Sequence, residues 1–141
     1  DIRIAGKSAR FAESFVKLGI IPGDGGAWFL PRTIGRSRAA ELTFTGEMID
    51  ADTALDWGMV SKVVEDDDLM AAALDLASRI AKNPPHALRL SKKLMREGEH
   101  TRLDSLLEMS AAFQALSHYT EDHAEAIDAF FEKRDGNFKG K

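Results

Sequence analysis

At 141 residues the chain is long enough for one domain-sized core, and a net charge of -4 with both signs interleaved argues against a nucleic-acid footprint. The absence of cysteine excludes disulfides, thiolate zinc sites and a cysteine nucleophile, and it is compatible with a reducing, cytoplasmic setting. No apolar run approaches the ~20 residues that a membrane span requires, and no signal-peptide pattern opens the chain. The first residue is Asp1 rather than Met, and Ile2-Arg3-Ile4-Ala5 alternates as a strand already under way. The chain therefore reads as a fragment.

A second short strand is expected over residues 9–12. Pro22-Gly23-Asp24-Gly25-Gly26 then breaks all regularity. A helix is expected from Ala27, interrupted at Gly35, and another from Arg36 to Thr43. Asp50 should cap a short helix that ends at Gly58, and the β-branched run over residues 59–64 predicts a strand. Near Asp66 the composition shifts, because glycine becomes scarce and helical spacing takes over. Asp66, Asp67 and Asp68 place negative charge at the start of a helix striped by Leu69, Ala73, Leu76 and Ile80. Asn83-Pro84 stops it, and Pro85 opens the next, which runs to Gly98. A third helix carries Leu103, Leu106, Leu107, Phe113 and Leu116, and a fourth, capped around Thr120, should bury Ile127, Phe130 and Phe131. Two portions follow: mixed α/β over residues 1–65, and all-helical over residues 66–141. The helical portion offers more apolar faces than so small a body can use, which points to a partner subunit.

The run Phe15-Val16-Lys17-Leu18-Gly19-Ile20-Ile21-Pro22-Gly23-Asp24-Gly25-Gly26, continuing to Leu30-Pro31-Arg32 and Gly35, carries more information than periodicity does. It resembles the glycine-turn pattern of the enoyl-CoA hydratase/isomerase (crotonase) family. Leu42-Thr43-Phe44-Thr45-Gly46, residues 52–60, and the tail from Ala129 through Arg134 to Gly140 are similar to further segments of that family, in order. The resemblance implies an α/β fold: the last part of a spiral of ββα turns, then an all-α trimerisation region. It implies a homo-trimer or hexamer acting on acyl-CoA in fatty acid metabolism. No separate cofactor is expected, since coenzyme A is part of the substrate. The family's oxyanion hole and first catalytic carboxylate would lie upstream, so this stretch alone should be inactive.

The second catalytic glutamate of the family's hydratases falls at Phe15, which cannot move a proton. Two acids stand nearby. Asp24 is the candidate catalytic residue, although the aspartate of some isomerase and dehalogenase relatives falls at Gly23 instead. The competing reading makes Asp24 an N-cap. Glu13 is either a second candidate or a solvated strand-edge charge. Ser14, Phe15, Gly23 and Trp28 are the substrate-binding candidates, with Phe29 assigned to the core. Lys133 and Lys139 are candidates for the nucleotide phosphates of coenzyme A, a compact ammonium being a suitable phosphate partner. The histidines at 86, 100, 118 and 123 lack ligand spacing, read as surface residues, and leave no metal site expected. The leading expectation is double-bond isomerisation through an enolate. The alternatives are an enoyl-CoA hydratase using Asp24 or an upstream acid, and a non-catalytic trimeric scaffold or binding module.

Overall fold

The computed structural model describes all 141 residues, Asp1–Lys141. It divides into two compact units, Asp1–Asp75 and Leu76–Lys141, with the division falling inside one helix rather than at the composition shift.

In the first unit, strand β1 (Ile4–Gly6) pairs in parallel with β4 (Lys62–Val64), placing Ala5 opposite Val63. Strand β2 (Arg10–Ala12) pairs antiparallel with β3 (Met48–Asp50), placing Phe11 opposite Ile49. Helices α1 (Gly26–Ile34), α2 (Arg36–Thr45) and α3 (Ala51–Asp56) lie between the strands in sequence. A parallel pair needs a long crossover, and here it carries all three helices. Ala5, Ile34, Ala39, Leu42, Ala51, Ala54, Met59 and Val60 form the core, flanked by Phe11, Leu30, Ile49, Trp57 and Val63. Most of these are small. Ala51 and Ala54, at 1% and 0% exposed, let α3 approach its neighbours closely.

Capping follows the sequence where the sequence was explicit. Asp50 Oδ1 accepts the Thr53 N–H at 2.8 Å, and this bond holds the Asp50 carboxyl below the usual carboxylate range. The three aspartates before α4 (Leu69–Ala81) instead form a 3-10 turn, Asp66–Asp68. Asp66 Oδ1 accepts the Ser8 N–H at 3.1 Å and so ties that turn to the end of β1.

The structure departs from the sequence reading, or adds to it, at three places. Met48–Asp50 is a strand, hidden in the sequence by its brevity and by Asp50 serving also as a cap. The β-branched run pairs only over Lys62–Val64, because Met59 and Val60 enter the core and Met59 donates its N–H to the Ala54 carbonyl. Residues 14–18 form a 3-10 turn, Ser14–Leu18, closed by Gly19 in the left-handed conformation at φ 72°.

In the second unit, α5 (Pro85–Glu97) packs on α6 (Leu103–His118), which packs on α7 (Glu121–Glu132). Thr120 Oγ1 accepts the His123 N–H at 3.1 Å and caps α7. Phe130 and Phe131 are not buried but each 77% exposed, and Leu103, Leu107 and Leu116 are exposed as well. The buried residues of this unit are Asp122 and Ala129.

Candidate active site

The glycine turn places one face of the candidate site. After β2 the chain enters the 3-10 turn, reverses at Gly19, and reaches α1 through Gly23-Asp24-Gly25. Phe15 sits half-buried in the 3-10 turn, and its carbonyl accepts the Ile20 N–H at 3.3 Å, which fixes the loop against its own beginning. Ser14 and Gly23 are exposed.

Asp24 is not the N-cap of α1, which is Gly25 without a side-chain cap bond, but it makes a local turn bond beside it. Its Oδ1 accepts the Gly26 N–H at 2.8 Å, at the positive end of α1. The carboxyl is exposed, with one oxygen committed to the backbone.

Glu13 departs from its strand-edge reading. It precedes the 3-10 turn instead of extending a strand, and its carboxyl folds inward onto Gly26. A β-carbon at residue 26 would collide with Glu13 Oε1, lie 3.0 Å from the Glu13 carboxyl carbon, and lie 3.1 Å from Asp24 Oδ1. A larger residue at 26 would have to push both carboxyls aside. Glu13 Oε1 is enclosed without a hydrogen-bond partner, a costly state for an anionic oxygen. Burial first, and the neighbouring Asp24 charge second, push the Glu13 carboxyl above its ordinary value. The sequence hint was the alternation of Glu13 with Phe15; the local fold that closes the carboxyl onto Gly26 had no such signal.

Trp28 and Phe29 extend the site along α1. The Arg32 guanidinium lies 3.8 Å over the Trp28 ring, and Arg32 Nη1 donates to the Trp28 carbonyl at 3.0 Å. Phe29 meets Trp28 edge-on at 5.0 Å, with its own ring against Gly25. Phe29 is 62% exposed, so its assignment to the core fails. The turn of α1 points it outward because Leu30 and Ile34 take the core-facing positions.

Within the second unit, Lys133 closes α7 in the left-handed conformation at φ 55°, the one non-glycine residue with positive φ. Such a conformation costs roughly 1–2 kcal/mol in a non-glycine residue. It is held by the Lys133 and Arg134 N–H groups, which donate back to the Phe130 and Ala129 carbonyls. Lys133 and Lys139 are both exposed. The Lys139 and Gly140 N–H groups donate to the two oxygens of Asp122 at 2.6 and 2.7 Å, and Asn137 N–H donates to Glu125 at 2.8 Å. Arg134 adds a two-pronged bond to Glu125, and together with the Asn137 N–H it lowers the Glu125 carboxyl to about 2. Sequence reading missed this tail clamp. The signal was the spacing of Asp122 and Glu125, three apart on one helix face.

The histidines also behave unexpectedly. The turn at Tyr119 brings His118 Nδ1 within 3.0 Å of His123 Nε2 despite their separation in sequence. No group of three or more His, Cys, Asp or Glu side chains converges there or elsewhere.

The whole length, residues 1–141, matches the model of the enoyl-CoA hydratase/isomerase family. The chain belongs to that family. It is 40% identical over 141 residues to the 1,2-epoxyphenylacetyl-CoA isomerase of Escherichia coli, covering 100% of this chain and 54% of that protein. It is 42% identical over 134 residues to the short-chain-enoyl-CoA hydratase of Clostridium acetobutylicum, covering 95% of this chain and 51% of that one. Among solved structures, the enoyl-CoA hydratase of Bacillus anthracis superposes with a TM-score of 0.97 at 40% identity, over 100% of this chain and 55% of that one. The fold is thus crotonase-like, mixed α/β with helices dominating. The chain spans about half the length of the curated relatives it matches. No helix is long and apolar enough to cross a membrane.

Proposed function

We propose that the complete protein of this family member is an acyl-CoA enzyme that draws a proton from an enoyl thioester, stabilises the enolate, and shifts the double bond. The observation that carries this reading is the exchange of acids at the glycine turn. Phe15 stands where the resemblance expects a glutamate, while Glu13 and Asp24 meet at Gly26 instead. Isomerisation needs one carboxylate that removes a proton and returns it, whereas hydration needs two groups to deliver the elements of water. Phe15 and Trp28 would wall the acyl chain beside Ser14 and Gly23. The exposed ammonium groups of Lys133 and Lys139 would meet the nucleotide phosphates of coenzyme A. The exposed Leu103, Leu107, Leu116, Phe130 and Phe131 support assembly as a trimer or hexamer through the C-terminal helices.

A second reading, a hydratase, is favoured by the name of the Clostridium acetobutylicum relative. Offering 2-enoyl-CoA and 3-enoyl-CoA to the complete protein separates the two. We expect the 3-enoyl thioester to be isomerised faster than the 2-enoyl thioester is hydrated, and the opposite order would establish the hydratase. A fluorescence titration with acyl-CoA tests against a non-catalytic scaffold, which need not bind it.

A further inference from the structure

We propose that Glu13 is the carboxylate that takes the substrate proton and returns it, with Asp24 as its positioning partner; the assignment rests on the acyl-CoA reading above. The two acids differ in what they are free to do. Asp24 Oδ1 is engaged by the Gly26 N–H, so a swing of this carboxyl toward a substrate carbon would give up that bond at the start of α1. Glu13 Oε1 has no such duty, since it is enclosed and unpartnered. A general base must have an oxygen available for a proton, and an anion removed from water gains most by accepting one.

The charged surroundings act in the same direction. Asp24 faces Glu13 across Gly26. The cations on the adjoining segments are engaged elsewhere: Lys17 lies along Gly46, and Arg10 Nη1 donates to the Ser8 and Ala9 carbonyls. Burial and a like charge therefore both raise the proton affinity of Glu13, which moves it toward the range of a working acid–base group. In the step itself, the bond between the α-carbon and its hydrogen breaks, the electron pair passes into the thioester enolate, and the proton joins Glu13. The enolate then collapses as the proton leaves Glu13 for the γ-carbon. The double bond moves from the β,γ to the α,β position with no net change in protons.

The test uses the complete protein with 3-enoyl-CoA, a non-reacting 3-oxoacyl-CoA as binding probe, and the variants E13Q, E13D and D24N. E13Q should lower kcat by roughly 10²- to 10⁴-fold. Its affinity for the probe should stay within about threefold of the parent protein. E13D should recover part of the rate. D24N should lose less than E13Q and should move the acidic limb of the kcat–pH profile to lower pH, because it removes the like charge beside Glu13. A kcat for E13Q within about threefold of the parent overturns the assignment while leaving the acyl-CoA reading intact. An acidic limb that D24N leaves in place overturns it as well. If E13Q loses probe binding together with activity, recovery by E13D decides: turnover with a shifted pH profile upholds the role, and no recovery refutes it. A complete protein that neither binds the probe nor turns over either enoyl thioester sinks both proposals together.

Discussion

The two units are held together in different ways. Asp1–Asp75 has a core of eight buried apolar residues, several of them alanines, beside two short strand pairs. Leu76–Lys141 buries one carboxylate and one alanine, while large apolar side chains on α6 and α7 remain exposed. Its tail is fastened to α7 by backbone N–H groups donated to Asp122 and Glu125. The first unit is organised by packing. The second buries little and ties its tail down with charge-assisted hydrogen bonds, and both units expose large apolar side chains, Leu18, Ile21 and Phe44 in the first as much as Phe130 and Phe131 in the second. The glycine turn itself lies outside that core, with Leu18 and Ile21 76% and 81% exposed, and is held by backbone hydrogen bonds such as that from the Ile20 N–H to the Phe15 carbonyl.

The sharpest way to break this comparison is to hollow out the first unit. Leu42, 3% exposed, lies in the small-residue core, and Leu42→Ala should lower stability by about 2–5 kcal/mol. Urea unfolding of the complete protein measures this, and a loss below about 1 kcal/mol would mean that the core is not what holds the unit. Next in size is Asp122→Asn. This change keeps the shape of the side chain but replaces a doubly accepting carboxylate with an amide that can accept through only one oxygen. Hydrogen bonds to charged groups contribute about 1.5–3 kcal/mol each, so the tail should detach. Amide exchange at Lys139 and Gly140 reads the change, and unaltered protection would show that the clamp is incidental. Smaller still is Phe130→Ser, at a position 77% exposed. Folding of the unit should change by less than about 0.5 kcal/mol. Sedimentation velocity over a concentration series should nonetheless show weakened self-association, and an unchanged assembly would remove Phe130 from the proposed contact.

What the sequence disclosed divides along the same line. Helices α1 to α7 were legible because apolar residues recur at three and four and because Pro84, Pro85, Asp50 and Thr120 punctuate them. The strand Met48–Asp50 and the 3-10 turn Ser14–Leu18 were not, since three to five residues hold too little periodicity to register. At the site, Asp24 was visible as both cap and candidate base, and the structure gives the cap position to Gly25 while Asp24 bonds the Gly26 N–H beside it. Glu13 was misread because its neighbour in space, Gly26, is reached only after the chain has turned at Gly19 and Gly25. Phe29 and Phe130 were misassigned for a common reason: an aromatic residue at helical spacing reads as core, whereas both side chains stand exposed on their helices.

The gentlest perturbation is acid, and it acts most strongly on the tail of the second unit. Glu125 accepts from Arg134 and from the Asn137 N–H, which takes its carboxyl from an ordinary 4.5 down to about 2. A carboxyl whose folded value is depressed binds its proton more readily when the structure opens. Its contribution is therefore fully present above pH 4.5 and disappears as the pH falls toward about 2. Across that window the Asn137 amide should lose exchange protection and the segment from Arg134 onward should loosen. The first unit also has carboxylates lowered by backbone N–H bonds, Asp50 by Thr53 and Asp66 by Ser8, but the core around Ala54 and Val60 is apolar, so those two amides should remain protected after Asn137 has opened. Glu125→Gln should move the loosening of the tail out of the acid range and make it present at neutral pH. If Asn137 and Val60 instead lose protection together at one pH, the units open as a single cooperative body, and the contrast between a packed unit and a clamped one dissolves.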